Sequence, residues 1–151
     1  MTLENLVENL SNELGIKLHL NEYEMCHVHI NEEHVVTIES SYDEEHFFLY
    51  APIAVVGDND FALIFDAMTG NLFGLETGSA SIGYDPRSHA LVLFQKIHQQ
   101  ENPTVFISTF KQFINTLDYW KKKVENFPLS HEKYPTLRPI QGSQQLKIYM
   151  A

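Results

Sequence analysis

Leu3, Leu6, Val7, Leu10 and Leu14 recur at three- and four-residue steps, which places them on one stripe of a helix. Thr2 is placed to cap its start and Gly15 to stop it, so a first helix is expected over 3–14. The period then falls to two. Cys26, Val28 and Ile30 alternate with Met25, His27 and His29, as in a strand with one apolar face. The polar links Asn31-Glu32-Glu33 and Asp43-Glu44-Glu45 separate it from a β-branched run at Val35–Ile38 and from Phe47–Ala51. Three short strands joined this way read as an antiparallel meander.

Gly57-Asp58-Asn59-Asp60 breaks the pattern and offers helix caps. Phe61, Ile64, Phe65, Met68 and Leu72 then take helical spacing, while Leu63 and Phe73 extend the apolar surface beyond one stripe. Such a helix needs more than one neighbour, its own sheet or another subunit. Ala80, Ile82 and Tyr84 alternate with Ser79, Ser81 and Gly83, Asp85-Pro86-Arg87-Ser88 suits a type I turn, and ALVLFQKI follows, so the pair reads as a hairpin. Asn102-Pro103 opens the last helix, in which Phe106, Phe110, Phe113, Leu117, Trp120 and Val124 form the strongest periodicity of the chain. Lys121, Lys122 and Lys123 oppose the dipole at its end.

The order αβββαββα gives an α+β fold, a mainly antiparallel twisted sheet with helices packed on it. One domain is expected over 1–126. Residues 127–151, with Pro128, Pro135, Pro139 and Gly142, read as a Pro-containing C-terminal tail, in which KIYM could add one short strand to a partner.

Charge narrows the partners. The chain carries a net −10, and residues 1–60 hold 13 acidic residues against the single basic Lys17. That field repels phosphates and argues against nucleic acid. The lone Cys26 suits a reducing compartment, the acidic N-terminus lacks the basic region of a signal peptide, and the apolar runs are too short to span a bilayer. A cytoplasmic protein without membrane insertion is expected.

Gly78 and Gly83 bracket four residues, the spacing of a phosphate-binding loop. Tyr84 and Asp85 stand where that loop needs Lys and Ser or Thr, and a turn and strand follow in place of a helix. The glycines are therefore expected to serve the backbone, through unusual dihedrals or close approach of another group.

The segment NLFGLETGSASIGYDPRSHALVLFQKI resembles the second-helix-to-hairpin region of class I type III secretion chaperones, the Tir chaperone family. The matching features are Ala67, Asn71-Leu72, Thr77-Gly78, Ile82-Gly83-Tyr84-Asp85 and Leu91-Val92-Leu93, with Trp120 near the end of the long helix. Ser79 stands where many members have a second glycine, and the tail is longer than the family's usual ending. The resemblance implies a bacterial, cofactor-free homodimer that binds the N-terminal segment of a secreted effector in extended form and directs it to the export ATPase. Phe61, Phe65, Met68, Leu72 and Ile82 are the residues expected at the dimer contact. Val28, Ile30, Phe48 and Tyr50 are those expected to touch effector, by strand addition and apolar pockets. An adaptor of the same shape, binding a transcription factor or a secretion-machine component, is the alternative.

Enzyme readings are weaker. Cys26 alternates with Val28 and Ile30 and reads as a small buried hydrophobe, and no Ser-His-Asp pattern or nucleophile elbow is visible. His27 and His29 share a strand face with His34 across the turn, a spacing that suits two metal ligands, but solvated strand-face histidines are the better reading and no metal site is expected. Phe47 and Phe48 must point to opposite faces of their strand, so both faces need cover.

Overall fold

The computed structural model describes residues 1–128. Its elements are α1 (Leu3–Leu14), β1 (Met25–His29), β2 (Val35–Ser40), β3 (His46–Val55), α2 (Phe61–Asn71), β4 (Ser81–Asp85), β5 (Ala90–His98) and α3 (Pro103–Glu125), with a short 3-10 turn at Leu72–Gly74. This is the expected αβββαββα order. The expected Pro-containing tail lies, from residue 129 onward, outside the described residues.

The helix ends follow capping chemistry. The Thr2 hydroxyl accepts the Asn5 amide, and Gly15 turns left-handed at φ 66° to close α1. The Asn102 side chain accepts the Thr104 amide at 2.8 Å, with Pro103 opening α3. Asp60 precedes α2 but does not cap it with its side chain, which instead accepts the Gly57 amide at 2.6 Å and tightens the preceding turn.

The five strands pair antiparallel in the order β1-β2-β3-β5-β4. β3 is longer than the alternation predicts. It continues through Pro52, and the ladder shifts register between Pro52 and Ala54, a bulge that absorbs a residue with no N–H to give.

α1 and α3 cover one face. Cys26, Val28, Val36, Ile38, Phe47, Leu49 and Leu93 meet Leu6, Leu10, Phe106, Phe110, Phe113 and Trp120 in a single core. Truncating one of the buried phenylalanines to alanine costs about 3–5 kcal/mol by the usual cavity arithmetic. Cys26 is enclosed, and burial pushes its thiol up to about 11.

α2 packs Leu63 and Ala67 into the same core and is tied to the end of α3. Leu63, Ala67 and Gly70 face inward. The Trp120 indole N–H donates to the Glu76 carbonyl at 2.9 Å, and Lys123 bridges Asp66 at 2.7 Å and Glu76 at 2.8 Å. Burial pulls the Lys123 ammonium down, but hydrogen bonds to the two carboxylates outweigh it and hold the group above the usual lysine range.

The two glycines have separate backbone roles. Gly78 takes φ 61°, which a side chain would strain, and donates its amide to Gly74 O at 2.9 Å. Gly83 leaves room for a ring, since a Cβ there would lie 3.3 Å from Phe94 Cε1.

Candidate functional site

The second face of the sheet carries no helix-derived core. Its hydrophobic cluster, Tyr50, Ala90 and Val92 with Phe48 and Phe94 packed against them, comes from strands alone. Cross-strand register fixes two rows there. One runs His27, Thr37, Tyr50, Phe94, Ser81, and the other Met25, Glu39, Phe48, Lys96. Glu39 is enclosed and accepts the Tyr50 hydroxyl at 2.7 Å. His27 Nδ1 meets Thr37 Oγ1 at 3.0 Å, and its Nε2 lies 3.4 Å from Asn21 Nδ2. Glu39, Tyr50, His27 and Thr37 are therefore held by one another or by Asn21, while Phe48 and Phe94 remain half-buried at the surface of this face.

Beside β1 the face drops into a cleft of about 360 Å³, lined by Ile16, Lys17, Leu18, His19, Met25, His27 and His29. The segment before β1 folds back to make its wall, with the Asn21 amide donating to Met25 O at 2.8 Å.

A separate apolar surface lies on α2. Phe61, Phe65, Met68 and Leu72 are all more than half exposed, at steps of four, three and four, so they form one stripe pointing away from the core. Phe73 continues it with 94% exposure and a left-handed φ of 53°, a conformation that costs a non-glycine residue about 1 kcal/mol or more. Leu75 and Tyr84 are exposed nearby in sequence. Ile82 is half-buried on β4 and packs against the helix-side core.

The residues expected to contact dimer partner and effector thus fall into distinct places. Phe61, Phe65, Met68 and Leu72 form one surface. Val28 is fully enclosed in the helix-side core and offers no surface on this chain, and Ile30 leans on the same core. Phe48 and Tyr50 are on the opposite face, with Tyr50 only 2% exposed. The four effector candidates therefore do not share a groove: the period of two gives each strand two faces without saying which one the helices take. Phe94 and the Lys17 cleft went unread in the sequence, whereas Phe73 was legible there as apolar surface beyond the α2 stripe. Phe94 sat within a run of β-formers, and Phe73 owes its exposure to a backbone dihedral.

The histidine spacing does not make a metal cluster. His27 is engaged on both ring nitrogens, and His34 turns the other way, with Nδ1 2.9 Å from Asn31 Oδ1 and Nε2 3.5 Å from Asp118 on α3. Among the described residues the group whose ligand atoms come within 4.8 Å of one another is Asp43, Glu45 and His46, on the β2–β3 turn. Asp43 there is lowered to about 2 by the Ser41 hydroxyl and the Glu45 amide. Among the described residues, no helix is long and apolar enough to cross a membrane.

The model of the Tir chaperone protein (CesT) family matches residues 5–121. The chain belongs to that family. No curated protein matches it in sequence. Several solved structures share the fold. A chain of the HopA1–SchA chaperone–effector complex superposes with a TM-score of 0.65 at 17% identity, covering 78% of this chain and 91% of that one. A chain of the ExsC–ExsE complex gives 0.62 at 20% identity, covering 81% and 96%. The Yersinia pestis type III secretion chaperone SycH, in complex with a fragment of YscM2, gives 0.61 at 17% identity, covering 79% and 99%. The matched family is a chaperone family.

Proposed function

We propose that this member of the Tir chaperone family is a type III secretion chaperone that works as a homodimer in the bacterial cytoplasm. It binds the N-terminal region of a secreted effector in extended form, keeps it competent for export and presents it to the export ATPase. The family match over residues 5–121 carries the reading. Chaperone–effector complexes among the structures of the same fold support it.

The two exposed surfaces divide the work. The α2 stripe of Phe61, Phe65, Met68 and Leu72, with Phe73 beside it and Ile82 at its foot, meets a second copy. A contiguous apolar stripe of this kind is costly to leave in water and is removed by pairing. The sheet face around Phe48 and Tyr50 holds effector, through apolar contacts to the rings and strand addition along the edge strand β1 beyond Met25, whose backbone is already bonded to Asn21, toward Ile30 at the strand's end. Bond-making is no part of this role: the thiol of Cys26 is enclosed and protonated at neutral pH.

Co-expression of the full chain with the product of the adjacent gene tests this. A complex with a dimer of the chain that maps to the N-terminal region of an exported protein is the expected result. A chain that stays monomeric and retains none of the proteins its own bacterium exports would overturn the reading.

A further inference from the structure

Among the described residues most cationic side chains are engaged. Arg87, Lys111, Lys122 and Lys123 pair with carboxylates, and Lys121 donates to the Glu33 carbonyl. Among the described residues two cations remain without an ion pair or side-chain hydrogen bond, Lys17 and Lys96. Both border the sheet face that carries Phe48 and Phe94. Lys96 ends the row Met25, Glu39, Phe48, Lys96 on one side. Lys17, the only Lys or Arg among residues 1–60, lines the cleft on the other side with His19, His27 and His29.

We infer that this face selects a polypeptide segment whose apolar centre is flanked by acidic side chains, one carboxylate entering the Lys17 cleft and the other meeting Lys96. The inference rests on the proposed effector-binding role and names the chemistry of the partner. It runs against the long-range field. A net charge of −10 attracts basic partners, so acidic flanks are favoured only if the local cations decide.

Geometry sets the spacing. From β1 to β5 across the face is three strand-to-strand steps, about 14 Å, which an extended chain covers in about four residues. The centre is suited to apolar side chains, since its own carboxylate, Glu39, is enclosed and already accepts the Tyr50 hydroxyl. The cleft beside it is lined by apolar Leu18 and Met25 together with donors: the Lys17 ammonium, with the His19 and His29 rings, which make no side-chain hydrogen bond among the described residues. A carboxylate lowered there would find charge and hydrogen-bond donors together.

Selection of a random twelve-residue peptide library on the full-length protein tests this. Enriched peptides are expected to carry an apolar centre with Asp or Glu on both sides, about four residues apart. For one such peptide, Lys17→Gln and Lys96→Gln should each weaken binding about two- to five-fold, and changing the matching peptide Glu to Gln should abolish the effect of that substitution. Lys111→Gln, on the helix side and paired with Glu13, should leave binding unchanged. Enriched peptides with basic or neutral flanks, or affinities that ignore Lys17 and Lys96, overturn the inference while leaving the chaperone reading in place. A protein that enriches no peptide at all overturns both.

Discussion

The side-chain amide of Asn71 satisfies both backbone groups of Ile82. Its Oδ1 accepts the Ile82 amide at 2.8 Å, and its Nδ2 donates to the Ile82 carbonyl at 3.2 Å. Ile82 lies on β4, the last strand of the sheet, so those groups would otherwise be open to pairing with another chain. The last residue of α2 thus acts as a one-residue substitute for a sixth strand. Asn71→Leu should remove both bonds and lower unfolding stability by about 1–3 kcal/mol, measured by urea denaturation. Stability equal to wild type would mean that solvent replaces the amide without loss.

Gly70 is held against the ring of Trp120. A Cβ on Gly70 would sit 2.5 Å from Trp120 Cζ2 and 2.7 Å from Glu76 Oε2. Helix propensity alone would favour alanine by about 1 kcal/mol, whereas overpacking a filled site costs about 1–3 kcal/mol. The clash should win. Gly70→Ala is expected to lower the melting temperature and to shift the emission of Trp120, the single tryptophan. A stabilised variant would show that α2 can slide away from α3 freely.

Phe65 is 64% exposed on the single chain, so its loss should not disturb the monomer fold. In the proposed dimer it is buried, and truncation to alanine there costs about 3–5 kcal/mol of association. Sedimentation should show Phe65→Ala dissociating at concentrations where wild type is paired, with an unchanged far-ultraviolet spectrum. A dissociation constant equal to wild type would move the interface off this stripe.

Acid should weaken the packing of the β1–β2 turn on α3. Burial, then the Lys121 charge, holds His34 below the usual histidine range, with Lys122 adding to this and Asp118 and Glu33 opposing it. A depressed histidine contributes stability that is complete above its unfolded value, about 6.5, and is lost as pH falls through the lower folded value. Burial and the His29 charge lower His27 in the same direction. Melting temperature should therefore fall as pH drops below about 6.5, before most carboxylates titrate, and His34→Gln should flatten that slope. An equal slope in the variant would assign it to His27 or elsewhere.

The helices were legible because each carries its own signal: the three- and four-residue steps of the first and last helices, Gly15, and the Asn102-Pro103 opening. Opposite faces for Phe47 and Phe48 also followed from the strand period. Which face α1 and α3 would take did not, because Val28 and Phe48 are equally apolar and only long-range packing separates them. Pro52 hid the second half of β3, since a proline ordinarily ends a central strand and here is accommodated by a bulge. The stripe on α2 was visible as excess hydrophobicity, and its exposure required knowing that Gly70 and Ala67 are the side facing in.

Cys26 gives β1 a chemical clock. The enclosed, weakly acidic thiol cannot meet an alkylating reagent while the strand is seated between β2 and the helices. Its modification rate, with no other cysteine in the chain to confuse the reading, counts how often the edge of the sheet comes loose. A ligand clasping that edge would slow the count, so the same sulfur that takes no part in binding could report on occupancy in real time.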